Sequence, residues 1–373
     1  MALSVLITGG AGFIGSHLAD ELLTHGHRVR VLDAMTPQVH GDLDRPAYLA
    51  AEVDLVRGDV RDPDAIRRAL AGADAVVHLA ARVGVGQSMY QVADYVGVND
   101  LGTAVLLQAL VERPVERLVV ASSMSIYGEG LYRDGVGHVV QDASRAAEAL
   151  RHSRWEPSDE QDRPLVPLPT PEWKHPTLAS VYALTKFAQE RMSLLIGDSY
   201  DIPTTALRFF NVYGARQALS NPYTGVLAIF AARLLNRRRP LVFEDGEQRR
   251  DFVEVRDVAR ACRLALASPR AAGQAINVGS GHSLSVREVA QRLAGALGCP
   301  HLRPEITSRF RTGDIRHCFA DLTLARELLA YEPQVEFEDG VLALADWLAS
   351  ADGAAIDRVD QATAELRARG LVA

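Results

Sequence analysis

The sequence predicts an α/β protein organised around a doubly wound parallel sheet. Three observations carry that expectation. Short continuous apolar runs, suited to strands buried on both faces, alternate with stretches of helical periodicity. The first such run passes through a glycine-rich turn directly into a helix. The second ends on a carboxylate at the distance from that turn where a ribose hydroxyl is met in dinucleotide-binding folds.

In chain order, Leu3 to Ile7 forms the first strand, and Thr8-Gly9-Gly10-Ala11-Gly12-Phe13-Ile14-Gly15 follows it. Gly9 permits the tight turn, Gly12 lets backbone approach a pyrophosphate, and Gly15 lets the helix pack on the strand. Phe13 and Ile14 open that helix, whose amino terminus supplies N–H donors and a positive dipole to phosphates. Leu18, Leu22 and Leu23 give it a helical apolar face. The second strand, Arg28 to Leu32, ends at Asp33, placed to accept a ribose 2′-OH and to repel a 2′-phosphate. Ala34-Met35-Thr36 supplies no arginine for such a phosphate, so the expected cofactor is NAD rather than NADP. Further strands are expected at Asp54 to Arg57 and at Ala75 to Leu79. Asp59 and Val60 fall where an adenine edge is met, and Leu79-Ala80-Ala81 offers small residues against which a cofactor lies close. The fifth strand, Arg117 to Ala121, delivers Ser122-Ser123-Met124-Ser125 to the same sheet edge. A helix from about Ala179 to Ser199 and a strand from Thr204 to Phe209 complete a Rossmann sheet.

A chain of 373 residues suggests one large or two modest domains. Its 48% hydrophobic and 23% charged residues are those of a soluble globular protein. A formal net charge of -7 argues against nucleic acid as a bulk electrostatic partner. No apolar run approaches the ~20 residues of a membrane span, and the start lacks the charged region of a signal peptide. Cys262, Cys299 and Cys318 form neither a disulfide framework nor a metal pattern. The expectation is a cytoplasmic protein with reduced thiols and no metal site.

Lys174 and Lys186 are the only lysines among 40 basic residues. Lys186 stands four residues after Tyr182, so on a helix the phenol and the ammonium share one face. A nearby cation favours phenolate and lowers the tyrosine pKa, which makes a base usable near neutral pH.

Together these residues resemble the extended short-chain dehydrogenase/reductases of the nucleotide-sugar epimerase and dehydratase group. The resemblance spans roughly residues 3 to 350. It rests on the glycine turn, Asp33, Gly58-Asp59-Val60, His78-Leu79-Ala80-Ala81, Asn99, Ser122-Ser123 and Tyr182-x-x-x-Lys186. It continues through Arg208-Phe209-Phe210-Asn211-Val212-Tyr213-Gly214, Arg250-Asp251-Phe252-Val253 and Asn277-Val278-Gly279. It implies Tyr182 as catalytic acid/base, Lys186 as holder of the nicotinamide ribose, and Ser123 as partner of the reacting hydroxyl. Asn99 would support the lysine and Phe209 would flank the nicotinamide. Asn211 would meet the substrate diphosphate, with Arg250, Arg311 and Asp314 nearby, and Phe243 would pack on the base. Val83, Gly84 and Ser125 would lie near the sugar. The expected division is an NAD-binding domain over 1–212 with an insertion at about 129–178, and a mainly nucleotide-sugar-binding domain over 213–350. Some segments of the latter return to the sheet, and a helical tail follows over 351–373. The family also implies a homodimer formed through the helices that carry Asn99 and Tyr182.

Within the group, a 4,6-dehydratase carries Asp-Glu after the serine position, where this chain has Met124-Ser125. A 3,5-epimerising reductase would want cysteine or histidine there. The simplest cycle remains, in which hydride leaves C4, the keto sugar turns, and hydride returns to the other face. The run Asn221-Pro222-Tyr223-Thr224-Gly225-Val226 and the long segment before Tyr182 are similar to members that act as dTDP-L-rhamnose 4-epimerases. A dTDP-6-deoxyhexose is therefore placed first, with UDP-hexose or UDP-uronate epimerisation, dehydration or reduction, and a non-catalytic NAD-binding regulator as alternatives. The 53 residues between Gly128 and Tyr182 exceed the length usual in the group and are expected to form a lid over the sugar. Ser285 with Glu288 reads as a capping box that opens an ordinary packing helix.

Overall fold

Seven strands form the central sheet of the computed structural model, which describes residues 2–218, 225–310, 314–350 and 359–370. They are β1 (Ser4–Thr8), β2 (Arg28–Asp33), β3 (Asp54–Arg57), β4 (Ala75–His78), β5 (Arg117–Ser123), β6 (Thr204–Phe209) and β7 (Ala275–Val278). All pair in parallel, in the order β3-β2-β1-β4-β5-β6-β7. The strand order reverses between β1 and β4, and a ligand crevice belongs beyond the carboxyl ends of such a pair. Val5, Leu6 and Ile7 are all buried, which is why β1 reads as an unbroken apolar run.

The principal helices are α1 (Phe13–Thr24), α2 (Pro63–Leu70), α3 (Gly102–Glu112), α4 (Val181–Ser199), α5 (Val226–Leu235), α6 (Val255–Ala267), α7 (Val286–Ala296), α8 (Phe337–Ser350) and α9 (Val359–Ala368). On one face of the sheet, α1 and α6 pack together and bury Leu18, Ala19, Leu22, Val258 and Cys262 against Val5, Ile7 and Val31. On the other face, Ile66 and Ala69 of α2 and Leu106 and Leu110 of α3 join Leu6, Leu32 and Val76. Each such leucine, fully buried, contributes about 1.5–3 kcal/mol. Asp62 caps α2 by accepting from Asp64 N–H, and Pro63 takes the first helical position, where its missing N–H is harmless.

The carboxyl-terminal part has its own core. Leu227 and Phe230 of α5, Val289 and Leu293 of α7, and Val341 and Leu344 of α8 close around Tyr213 and Phe252. The capping box of α7 is present, with Ser285 Oγ accepting from Glu288 N–H at 3.1 Å and Glu288 Oε2 accepting from Ser285 N–H at 2.8 Å. A small sheet joins Asn211–Tyr213, Arg249–Glu254, Ser283–Ser285 and His317–Cys318. Both β7 and α6 belong to the second half of the chain by position and to the first sheet by packing.

The insertion is a small folded unit. Leu131–Arg133 pairs antiparallel with Val139–Val140 and with Val166–Leu168, over a core of Tyr132, Ala143 and Leu165. Thr170 bridges to Ala320, and Gly130 N–H donates to the His317 carbonyl at 2.8 Å. The tail helix α9 reaches back to the body of the chain. Asp360 accepts from Arg233 at 3.0 Å, and the Arg369 guanidinium sits 4.2 Å over the Tyr90 ring.

Candidate active site

A cavity of about 830 Å³ opens at the carboxyl ends of the central strands. The glycine turn forms one end of it. Gly9 has φ +70°, and a Cβ there would lie 2.9 Å from the backbone of Ala80. A Cβ at Gly15 would fall 2.4 Å from Gly10 Cα, so only glycine lets α1 close on the turn. Gly12 differs, since a Cβ there would meet only Gly9 O at 3.4 Å, and the space above it is cavity. Helix α1 opens with no side-chain cap. Gly9, Gly12, Phe13, Ile14 and Gly15 all line the cavity, and this cradle fits a pyrophosphate on the helix amino terminus.

Asp33 ends β2 on the cavity wall. Its Oδ2 accepts from Ala11 N–H at 3.1 Å and its Oδ1 from Met35 N–H at 2.9 Å. Buried His40 brings Nε2 within 3.5 Å of the same carboxylate, and its Nδ1 has no partner among the described residues. Asp59 and Val60 line the wall beyond, as do Leu79, Ala80 and Ala81. Arg61 grips the Asp59 carboxylate with Nε at 2.9 Å and Nη2 at 2.6 Å, and this holds its pKa below the usual range.

At the reacting end, parallel pairing sets Ser123 of β5 beside Phe209 of β6. Ser180 caps α4 by accepting from Ala183 N–H at 3.1 Å, which places Tyr182 in the first turn. Tyr182 N–H donates to Ser88 Oγ at 3.1 Å, and the buried Tyr95 ring stands edge-on to the Tyr182 ring at 6.5 Å. Tyr95 Oη donates to the carbonyls of Val83 and Gly84, at 2.8 and 2.9 Å, and so pins the loop on the opposite wall. Ser123, Ser125, Tyr182, Lys186, Phe209, Val83 and Gly84 all line this region.

The electrostatics correct one expectation. Burial pushes the Tyr182 phenol up, and the hydroxyl of Ser123 is the group that pulls it back down. Burial pushes the Lys186 ammonium down to about 7, against the carboxylates of Glu190 and Asp100. Lys186 Nζ donates to Gln189 Oε1 at 2.8 Å rather than to the phenol.

Asn99 is fully buried behind the lysine. It lies in a single π-helical turn over Val96–Leu101, which turns its side chain fully inward. Among the described residues its side chain makes no hydrogen bond to Lys186, and it does not line the cavity. Its Nδ2 donates to Thr185 Oγ1 at 2.9 Å and to the Arg82 carbonyl at 3.1 Å, and its Oδ1 accepts from Arg82 N–H at 2.7 Å. A chain of bonds that includes the Asn99 carbonyl leads to the lysine. Ala80 N–H donates to Thr8 Oγ1 (3.3 Å), Thr8 to His78 Nδ1 (2.7 Å), and His78 Nε2 to Thr103 Oγ1 (2.9 Å). Thr103 donates its own proton to the Asn99 carbonyl at 2.5 Å, so it can only accept from Gln189 Nε2 at 2.8 Å. That assignment fixes the amide of Gln189 with its oxygen toward Lys186.

Behind these residues, Glu190 of α4 forms a buried two-point pair with Arg208 of β6, at 2.7 and 2.9 Å, and accepts from Ser122 Oγ at 2.7 Å. Arg208 also donates to Tyr127 Oη at 2.8 Å, and Tyr127 to Asn277 Oδ1 at 2.7 Å. The helix that carries Tyr182 is thus bolted to the strands that carry Ser123 and Phe209.

The far end of the cavity is lined by Asn211, Phe243, Arg250 and Asp314. Arg250 donates to the carbonyls of Arg249 and Arg316 at 2.9 Å each, and to that of Ile315, and stands 3.7 Å from Asp314. Buried amide oxygens of Asn211, Gln217 and Gln248 have no protein partner among the described residues, and all three side chains line the cavity. Arg311 and Asn221 to Thr224 lie outside the described residues. The expected lid is absent from the wall: Ala179 and Ser180 line the cavity, but no residue of 129–178 does so among the described residues. The insertion is instead turned toward residues 314–320.

Sequence reasoning missed His40, Tyr95, Gln189, Gln217 and Gln248. Gln189 was within reach, since it follows Lys186 by three residues on one helix face. Gln248 stands two residues before Arg250 in a matched stretch, whereas His40, Tyr95 and Gln217 carry no local signal.

The sequence matches the NAD dependent epimerase/dehydratase family over residues 5–146 and 159–279. It is 34% identical over 351 residues to dTDP-L-rhamnose 4-epimerase of Burkholderia thailandensis, covering 92% of this chain and 94% of that one. It is also 34% identical over 343 residues to UDP-glucose 4-epimerase of Mycolicibacterium smegmatis, covering 91% and 96%. Similarity extends to a dTDP-glucose 4,6-dehydratase of Actinoplanes, at 28% over 354 residues. The fold superposes on Thermus thermophilus UDP-glucose 4-epimerase in complex with NAD, with a TM-score of 0.71, 31% identity and coverage of 94% of this chain and 100% of that one. The chain belongs to the NAD-dependent epimerase/dehydratase family, and NAD is its cofactor.

Proposed function

We propose that the protein is a nucleotide-sugar 4-epimerase whose substrate is a dTDP-6-deoxyhexose such as dTDP-L-rhamnose. The observation that carries the reaction class is the make-up of the reacting end. Ser123, Met124, Ser125, Tyr182 and Lys186 meet there without a carboxylic pair. The carboxylates lining the cavity, among the described residues, are Asp33 and Asp59 at the cofactor end and Asp314 at the far end. Removal of water across C5 and C6 needs an acid and a base beside the sugar, and these positions do not supply them. The sugar-facing loop presents Val83, Gly84 and Val85, and its neighbour Arg82 is paired with Asp94 at 2.8 Å. That favours a neutral 6-deoxyhexose over a uronate.

In this reading Gly9, Gly12, Phe13, Ile14 and Gly15 hold the pyrophosphate of NAD, Asp33 the adenosine ribose, and Asp59 and Val60 the adenine edge. Leu79, Ala80, Ala81 and Phe209 shape the nicotinamide side, and Lys186 holds its ribose. Bound NAD supplies a hydride acceptor at C4 of the sugar and the hydride that is later returned. Tyr182, as phenolate, takes the proton from O4 as the C4–O4 double bond forms, and gives it back as that bond closes. Ser123 orients O4 through its hydroxyl and stabilises the phenolate. Asn211, Arg250, Asp314 and Phe243 hold the nucleoside diphosphate while the keto sugar turns. The same reading makes the protein a cytoplasmic homodimer. The deciding experiment incubates the protein, without added cofactor, with a panel of dTDP-, UDP- and GDP-sugars and reads C4 inversion by NMR. A lasting 4-keto or 5,6-unsaturated product would reject the epimerase reading.

A further inference from the structure

The insertion meets the carboxyl-terminal part of the chain through buried charge. Arg145, 4% exposed, donates from Nη1 to Glu244 Oε1 at 2.7 Å and from Nη2 to the Asp314 carbonyl at 2.6 Å. Its Nε stands 3.3 Å from Glu129 Oε1. Arg316, 1% exposed, donates to the other oxygen of Glu244 at 3.1 Å and to both oxygens of Asp245, at 2.6 and 3.0 Å. Its Nε donates to Glu156 Oε1 at 2.9 Å, and Glu156 Oε2 also meets His317 Nε2 at 2.8 Å. The Glu244 carboxylate is thus fully buried and shared between an arginine of the insertion and one of the carboxyl-terminal part.

These partners adjoin the far wall of the cavity. Glu244 follows Phe243, Asp314 is itself a lining residue, and Arg316 follows the lining residue Ile315. The Arg316 and Ile315 carbonyls are two of the groups that orient Arg250. Glu244 holds a left-handed backbone conformation, φ +53°, which a non-glycine residue keeps only where its surroundings over-determine it. A buried ion cluster is a weak way to stabilise a fold, because desolvation offsets the attraction, but it holds its members in one register.

We propose that the 129–178 insertion is a positioning clasp, in which Arg145 holds Glu244 and Asp314 so that Phe243 and Arg250 are set for the nucleoside diphosphate half of the substrate. It acts from behind the wall rather than over the mouth. The proposal rests on the reading that this cavity takes a nucleotide sugar.

Calorimetric titration of the NAD-loaded protein with dTDP and with UDP tests it, alongside KM, kcat and NAD content. Arg145→Met is expected to raise the nucleoside diphosphate Kd and the sugar KM about tenfold, the equivalent of 1.4 kcal/mol. NAD content and kcat at saturation are expected to hold. Arg145→Lys keeps the charge and loses the fork, so an intermediate Kd is expected. Glu156→Gln, at the exposed edge of the cluster, decides the matter should the Arg145 variants fail to fold, and a Kd raised at least threefold is expected for it. Wild-type binding that is unchanged in the folded variants overturns the clasp alone. Wild-type protein that binds neither dTDP nor UDP overturns the substrate reading and the clasp with it.

Discussion

Tyr182 is set between two neighbours that act on it differently. Ser123 lowers its pKa directly, and Lys186 waits at Gln189, three residues further along the same helix face. Tyr182→Phe is expected to lower kcat by about 10³ or more, since it removes the group proposed to accept the O4 proton. NAD content and the melting temperature should be unchanged, as ultraviolet absorbance and a thermal scan will show. Gln189→Leu removes the acceptor that orients the lysine. A lysine released from that acceptor no longer holds the cofactor ribose in the proposed reading, so NAD is bound more weakly. The Kd for NAD, read by calorimetric titration, should therefore rise about tenfold, the equivalent of 1.4 kcal/mol; an unchanged Kd would remove Gln189 from this role. His78 gives a separate prediction on stability. Burial and Lys186 hold it neutral, with its pKa lowered from 6.5 to about 3. Between those values the unfolded chain binds a proton that the folded chain refuses, so this stabilisation is complete above pH 6.5 and is lost as pH falls toward 3. Melting curves of wild type and His78→Gln should converge as pH drops from 7.5 to 5.

The elements differ in how far they could be read from the chain. Strand β1 was expected over Leu3 to Ile7 and forms over Ser4–Thr8; Thr8 joins it by pairing with Leu32 and His78, contacts that no local pattern announces. The buried strands and α1 were legible because both faces of the sheet are covered, which forces continuous apolar runs. The sheet of the insertion was not, because strands of two or three residues carry no period. The inward turn of Asn99 depends on one π-helical turn that side-chain chemistry does not encode. The expected lid failed for a related reason: chain position near Tyr182 says nothing about which side of the wall a 53-residue segment packs on. At this scale the glycine turn makes the sharpest prediction. Gly15→Ala forces a Cβ to 2.5 Å from the Gly9 carbonyl, between α1 and the turn that precedes it. It is expected to cost about 1–3 kcal/mol and to empty the protein of NAD. A variant that melts like wild type and retains NAD would contradict the role assigned to that contact.

As a whole molecule the protein sets a glycine-turn cradle and a second lobe on either side of one cavity, with β7 and α6 crossing back into the core of the first sheet while the second lobe keeps its own. The family resemblance implied that later segments return to the sheet; the ionic clasp behind the second lobe carried no such signal, because its members come from five separate stretches of the chain. Val92, Val96 and Leu101 before α3, and Leu184 and Leu195 on α4, are exposed apolar side chains on neighbouring helical stretches. The dimer reading predicts that a second copy covers them. Light scattering should give twice the 40.5 kDa chain mass, and Leu184→Glu with Leu195→Glu should shift the protein toward monomer. The central claim is that one sugar carbon loses and regains its own hydride within a single binding event. The most direct test supplies the protein, without added cofactor, with dTDP-L-rhamnose or the panel's best substrate deuterated at C4, and follows the label by NMR. Inversion at C4 with the deuterium retained is the predicted result; inversion with loss of the label, or a requirement for added NADPH, would contradict it.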